Sequence, residues 1–176
     1  AKLSSWCRRR RLLEEIFKGD DIGDVILTMP CDDKIQSEAA PQRITKPSIK
    51  LLEGLTSNVF VVYPGRILRT AGSDHVLGGY IRELIIECAK NCGYTVEFGS
   101  ISLEDASLWQ EVFVTSSIRL IIPIEKLFLP AVKNGDNNGH FELQTLWESP
   151  LHGKGRGEER ACQSAGTPTI AVSYTH

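Results

Sequence analysis

The apolar run Val59-Phe60-Val61-Val62-Tyr63 is entered through Glu53-Gly54-Leu55-Thr56-Ser57-Asn58. The run reads as a buried strand. The hexapeptide ahead of it places one carboxylate, two hydroxyls and an amide at the strand's mouth. A buried carboxylate is costly unless a cation or hydrogen-bond donors compensate it. The partner of Glu53 is therefore the functional question this chain poses.

Bulk properties narrow the answer. The chain has 176 residues, of which 41% are apolar, enough for one cored domain or a domain plus a tail. A net charge of −2 gives no global attraction to nucleic acid or anionic membrane. No apolar run is long enough to span a bilayer as a helix. The five cysteines lack zinc-type spacing, so no metal site is expected. Their odd number favours reduced thiols in an intracellular, cytoplasmic protein, with organellar targeting left open because the chain opens on Ala1-Lys2. Cys88 and Cys92, four apart, read as core packing.

Along the chain, Ser4-Ser5 caps an expected helix from Trp6 to Phe17, whose basic run Arg8 to Arg11 reads as a solvated face. Asp24 to Thr28 reads as a strand ended by Pro30. Residues 32–50 are polar, carry Pro41 and Pro47, and read as an inserted loop. Val59 to Tyr63 and Ile67-Leu68 form a hairpin around Pro64-Gly65. Leu77-Gly78-Gly79 opens a helix with Ile81, Leu84, Ile85, Cys88 and Cys92 on one face and Arg82, Glu83, Glu87 and Lys90 on the other; Gly93 stops it. Thr95 to Phe98 is a strand, and Ser102 caps a short helix through Trp109. Glu111 to Thr115 and Arg119 to Pro123 are strands around Ser116-Ser117. This order implies an α+β domain with a mixed or antiparallel sheet and packed helices. Residues 1–130 form the domain, and residues 131–176, with His140, His152 and His176, an irregular tail.

Three features carry chemistry. Glu53 stands at a strand entrance. Gly78-Gly79 precedes an amphipathic helix, whose free amides and dipole suit a phosphate. Thr115-Ser116-Ser117 is a hydroxyl-rich turn. Together they suit a cationic heterocycle carrying a phosphate, and pyridoxal phosphate fits, with a lysine needed for its Schiff base.

From Leu51 to about Lys126 the chain resembles the class IV pyridoxal-phosphate aminotransferases, a group holding branched-chain and D-amino-acid aminotransferases and aminodeoxychorismate lyase. The matching pieces are Glu53 to Asn58 with its strand, Asp74 to Arg82 with its helix, Cys92-Gly93, Val96-Glu97, and Glu111 to Ser117 with Pro123. The resemblance implies the large cofactor-binding domain of the D-amino-acid aminotransferase fold, a small amino-acid or 2-oxo-acid substrate, and a homodimer. It also implies a role for each matching residue. Lys2, followed by Trp6, forms the Schiff base and shuttles the substrate proton. Lys18, Lys34, Lys46 and Lys50 lack that aromatic partner. Trp6 stands where many members hold the cofactor with tyrosine. Glu53 pairs with the pyridine nitrogen, Asn58 belongs to the same motif, and Leu77 packs on the ring. The amides of Tyr80 and Ile81 hold the phosphate with Ser116-Ser117. Ser117 and Ile118 face the substrate carboxylate.

The family's Leu-Pro-Gly-Ile-Thr-Arg reads Leu77-Gly-Gly-Tyr-Ile-Arg82 here, and Gly-Thr reads Ser116-Ser117. The threonine hydroxyl of the first motif is lost, so phosphate binding leans on backbone amides. The family's small N-terminal domain is not represented. Three functions are compatible with these residues: transamination between an amino acid and a 2-oxo acid, the lyase reaction giving 4-aminobenzoate and pyruvate, and a non-catalytic fragment of such an enzyme. Arg66, Arg69 and Arg119 read as surface residues.

Overall fold

The computed structural model describes residues 10–15, 22–31, 48–132, 140–151, 161–163 and 169–174. Helix α1 covers residues 10–15, tied by an Arg10–Glu14 ion pair of 2.7 Å. The strands are β1 (Asp24–Cys31), β2 (Ser48–Gly54), β3 (Asn58–Tyr63), β4 (Ile67–Thr70), β5 (Thr95–Phe98), β6 (Ile101–Ser102), β7 (Glu111–Ser116), β8 (Leu120–Val132), β9 (His140–Glu148), β10 (Ala161–Gln163) and β11 (Thr169–Tyr174). Helix α2 spans Tyr80–Asn91, and a 3-10 helix spans Leu103–Leu108.

Antiparallel pairing runs β8 to β11, β11 to β1, β1 to β2, β2 to β3, β3 to β7 and β7 back to β8. Six strands thus close a ring, which leaves none of them with a bare edge along its whole length. Its interior holds Ile26, Leu51, Val59, Val61, Val112, Val114 and Leu127, with Trp109 and Trp147 among them. Outside the ring, β4 and β5 pair in parallel, and α2 makes the crossover between them, as parallel neighbours require.

The ring explains the apolar run. Val59, Val61 and Tyr63 face its interior. Phe60 and Val62 face the opposite way, packing with Ile85, Ile86 and Phe113 beneath α2. A strand covered on both faces loses its polar alternation. Phe60 stacks on Phe113 with centroids 5.1 Å apart.

Several expectations are corrected. Helix α2 is rotated from the expected setting: Arg82 and Ile86 are its buried residues, Leu84 is exposed, and Cys88 and Cys92 are exposed free thiols. β2 begins at Ser48, inside the expected loop 32–50, and β1 runs through Pro30 to Cys31. Beyond residue 130, where an irregular tail was expected, β8 continues to Val132 and β9, β10 and β11 join the sheet. Residues 32–47 lie outside the described residues. No helix among the described residues is long and apolar enough to cross a membrane.

Candidate active site

The site is set by a register shift. Between Ile26↔Gly54 and Thr28↔Leu51, β1 has one residue and β2 has two, Leu52 and Glu53. This is a β-bulge, which re-aims the side chains beyond it. Without it, Glu53 would share the face of Leu51, which lies in the ring's interior. With it, Glu53 pairs with Asn58 and Asn58 with Thr115, a row across three strands on the outer face. Thr115 shares that face with Phe113, two residues earlier on the same strand, and Phe113 lies under α2.

The hairpin behind the row is tight. Gly54 N–H donates to Ser57 O at 2.8 Å. Ser57 Oγ donates to Asp24 Oδ2 at 2.6 Å. A Cβ on Gly54 would overlap both side chains, so glycine is required there.

The row grips the approach to α2. Leu77 N–H donates to Glu53 Oε2 at 3.0 Å, and Asn58 Nδ2 donates to Leu77 O at 2.9 Å. One residue is thereby held at its N–H by the acid and at its carbonyl by the amide side chain. Gly79, the N-cap, has φ −91° and ψ 141° and no capping side chain. The first helix bond is Glu83 N–H to Gly79 O at 3.1 Å. The amides of the first turn therefore have no intrahelical acceptor. They carry the positive end of the helix dipole.

A cavity of about 330 Å³ lies between row and helix, bounded by the 53–58 hairpin, Leu77 to Arg82, and Thr115 to Ser117. It gathers Glu53, Asn58, Leu77, Tyr80, Ile81, Ser116 and Ser117 from the sequence-derived set. Ile118 is not among its lining residues and is 93% exposed at the β7–β8 turn. Lys2 and Trp6 lie outside the described residues. Arg66, Arg69 and Arg119 do not line the cavity. Arg69 instead lies over the Tyr63 ring at 4.6 Å and pairs with Glu97 at 2.7 Å.

Two lining residues had no role of their own in the sequence reading, although Thr115 stood in the hydroxyl-rich turn and Arg82 closed a matching motif. Arg82 is 2% exposed and Thr115 1%, and both stand in the cavity's wall. Arg82 Nε and Thr115 Oγ1 are buried without a hydrogen-bond partner among the described residues. Buried polar atoms are nearly always satisfied; the Arg82 guanidinium turns instead to Ala71 O and the Phe98 ring, neither of which lines the cavity. A carboxylate at one side and uncapped amides at the other fit a cationic ring bearing a phosphate.

Residues 42–127 match the family model described as amino-transferase class IV. The chain is 34% identical over 118 residues to aminodeoxychorismate lyase of Bacillus subtilis, a match covering 63% of this chain and 39% of the lyase. It is 39% identical over 61 residues to mitochondrial branched-chain-amino-acid aminotransferase 1 of Arabidopsis thaliana, covering 35% of this chain and 16% of that protein. Among solved structures, it is similar to the branched-chain amino acid aminotransferase of Escherichia coli, with 33% identity, a TM-score of 0.40, and coverage of 42% of this chain and 25% of that one. The chain thus spans less than half the length of the curated relatives it matches. Over residues 42–127, this segment is similar to the class IV aminotransferase family.

Proposed function

We propose that the cavity binds pyridoxal 5'-phosphate and serves transamination between an amino acid and a 2-oxo acid. The observation that supports this best is the Glu53–Asn58–Thr115 row facing the uncapped start of α2 across one cavity. The cofactor, when bound, supplies an electron sink for bond cleavage at the substrate's α-carbon. The chain's own residues do the rest. Glu53 holds the ring nitrogen protonated, and Leu77, gripped at its N–H and its C=O, covers the ring face. The amides of Tyr80 and Ile81 and the hydroxyls of Ser116 and Ser117 receive the phosphate. Ser117 and Ile118 meet the substrate carboxylate, and Lys2 anchors the cofactor and carries the α-proton. The working form is a homodimer in an intracellular compartment.

Mixing the chain with pyridoxal phosphate, reducing with borohydride and mapping the added mass tests the site. Label on Lys2, absent in Lys2→Ala, is expected; label elsewhere overturns the Lys2 assignment. A lyase reaction giving 4-aminobenzoate and pyruvate is the second reading, favoured by the 118-residue match to aminodeoxychorismate lyase. Amino transfer from leucine or D-alanine to a 2-oxo acid, against release of 4-aminobenzoate from aminodeoxychorismate, separates the two. Cofactor binding with neither turnover identifies a non-catalytic fragment.

A further inference from the structure

Free cysteine is among the most buried of residue types, yet α2 ends in two exposed free thiols, Cys88 and Cys92. The contact of α2 with the sheet is made by Ile85, Ile86 and Ala89, so packing gives no reason for the pair. Residues four apart share one side of a helix, with Cβ atoms about 5–6 Å apart. That spacing is locked by the way α2 closes. Cys92 N–H donates to Cys88 O at 2.9 Å and to Ala89 O at 3.1 Å. Gly93 N–H donates to Lys90 O at 3.0 Å, and Tyr94 N–H to Ala89 O at 2.9 Å. With Gly93 at φ +78°, this is a Schellman closure. Arg66 Nη1 adds a bond to Cys92 O at 3.2 Å. A disulfide needs Cβ atoms about 3.5–4.5 Å apart, so forming one here would pull the closure open. One atom between the sulfurs avoids that, because two opposed metal–thiolate bonds of about 2.3 Å each span about 4.6 Å.

We propose that Cys88 and Cys92 form a two-coordinate site for a soft monovalent cation, Cu(I). Thiolates select this ion, whereas zinc takes four ligands, and no group of three or more possible metal ligands gathers among the described residues. Each thiol gives its proton to solvent and each sulfur forms one bond to the ion, with no change of oxidation state. The bound unit then carries a single negative charge. Lys90 in the last turn and Arg66 on the Cys92 carbonyl bring positive charge to it, at a helix end whose dipole opposes an anion. The pair stands about 12–18 Å along the axis from Tyr80, at the far end of α2 from the cavity, so it is independent of the cofactor reading. Its effect is to staple the last turn, since an ion held only by the folded helix stabilises that fold.

The reduced full chain is titrated without oxygen against Cu(I) held by bicinchoninate, and the ion transferred is read from the loss of the chelator's colour. Wild type is expected to hold one equivalent more than Cys88→Ser or Cys92→Ser. Losing an outer-shell partner costs about 10- to 100-fold in metal affinity, so losing a ligand should cost at least about 100-fold. Glu87→Cys joined to Cys88→Ser controls for thiol count. It keeps two thiols on α2 but sets them five residues apart, about 140° around the axis, and should not restore the equivalent. Cu(I) should also raise the melting temperature of wild type more than that of either single variant. Wild type holding no more Cu(I) than the single variants overturns the proposal, as does a displaced pair that holds the ion as tightly as Cys88 and Cys92. Oxidised glutathione gives a separate check on the spacing. A mixed disulfide on each cysteine is expected by peptide mapping, and closure of Cys88 onto Cys92 in the folded chain overturns the reasoning.

Discussion

Gly78 and Gly79 are chemically identical neighbours, yet they are expected to respond oppositely to alanine. A Cβ on Gly79 would lie 2.5 Å from Asn58 Oδ1, about 0.9 Å short of ordinary contact, whereas one on Gly78 meets nothing within 4 Å. The Gly79 backbone, at φ −91° and ψ 141°, is open to alanine, so the penalty is steric and not conformational. Asn58 is buried, and its amide is committed to Leu77 O at 2.9 Å. Either Asn58 turns away, losing a hydrogen bond and leaving a buried amide unsatisfied, or the start of α2 moves outward. Both routes cost about 2 kcal/mol. For a chain of this length that lowers Tm by about 4–8 °C. Gly78→Ala should stay within about 0.5 kcal/mol of wild type. Urea unfolding followed by tryptophan fluorescence and far-ultraviolet dichroism measures both. A cycle with Asn58→Ala gives the sharper reading. Truncating Asn58 removes the obstacle, so Gly79→Ala should cost at least about 1 kcal/mol less in that background. Additive effects of the two changes, or equal penalties at Gly78 and Gly79, would refute the Asn58 contact as the reason for glycine.

Four further outcomes follow from the packing. Burial holds the Tyr63 phenol above its ordinary value of 10.0, although the Trp109 hydrogen bond and the Arg69 charge act to lower it. The unfolded chain therefore releases this proton first, so stability is full below pH 10 and falls as pH rises beyond it; titrating urea midpoints upward from pH 9 should show that fall, and Tyr63→Phe should lose it. At neutral pH, Tyr63→Phe orphans the Trp109 indole N–H, now 3.0 Å from the phenol oxygen, and costs about 1–3 kcal/mol by chemical denaturation. Phe60→Ala removes a fully buried ring stacked on Phe113 and should cost about 3–5 kcal/mol. Cys88 and Cys92 are exposed thiols; the double serine variant should lose two rapidly reacting equivalents in a thiol assay and unfold within about 0.5 kcal/mol of wild type.

The sequence carried local structure best where one period dominated. The strand at Val59–Tyr63, its hairpin with β4, the start and stop of α2, and the Ser102 cap, whose hydroxyl accepts from Glu104 N–H at 3.3 Å, were all legible. The face of α2 was not. Two apolar stripes compete on that helix, and a charged residue is rarely buried, so Arg82 was placed in solvent while Leu84 and Cys88 were placed inside. In β9, the pattern His140–Glu148 breaks because its register with β8 shifts between Leu127 and Phe128, which erases strict alternation. Most of the cavity's lining was readable as motif, since Glu53, Asn58, Leu77 and Ser117 all reach it. The burial of Thr115 and Arg82 was not, because packing, and not residue type, gives them their place.

The bulge in β2 turns a count into a chemical instruction. Side chains alternate along a strand, so with Leu52 in place it is the bulge that keeps the Glu53 carboxylate off the face of Leu51 and turned to the cavity. Removing Leu52 would leave Leu51, Glu53 and Gly54 in plain alternation, with the acid still on the cavity side and the bulge gone. The site therefore withstands one residue fewer at this point of β2, but not a slip in register that straightens the strand with Leu52 in place, which would aim the acid at Val59 and Leu127.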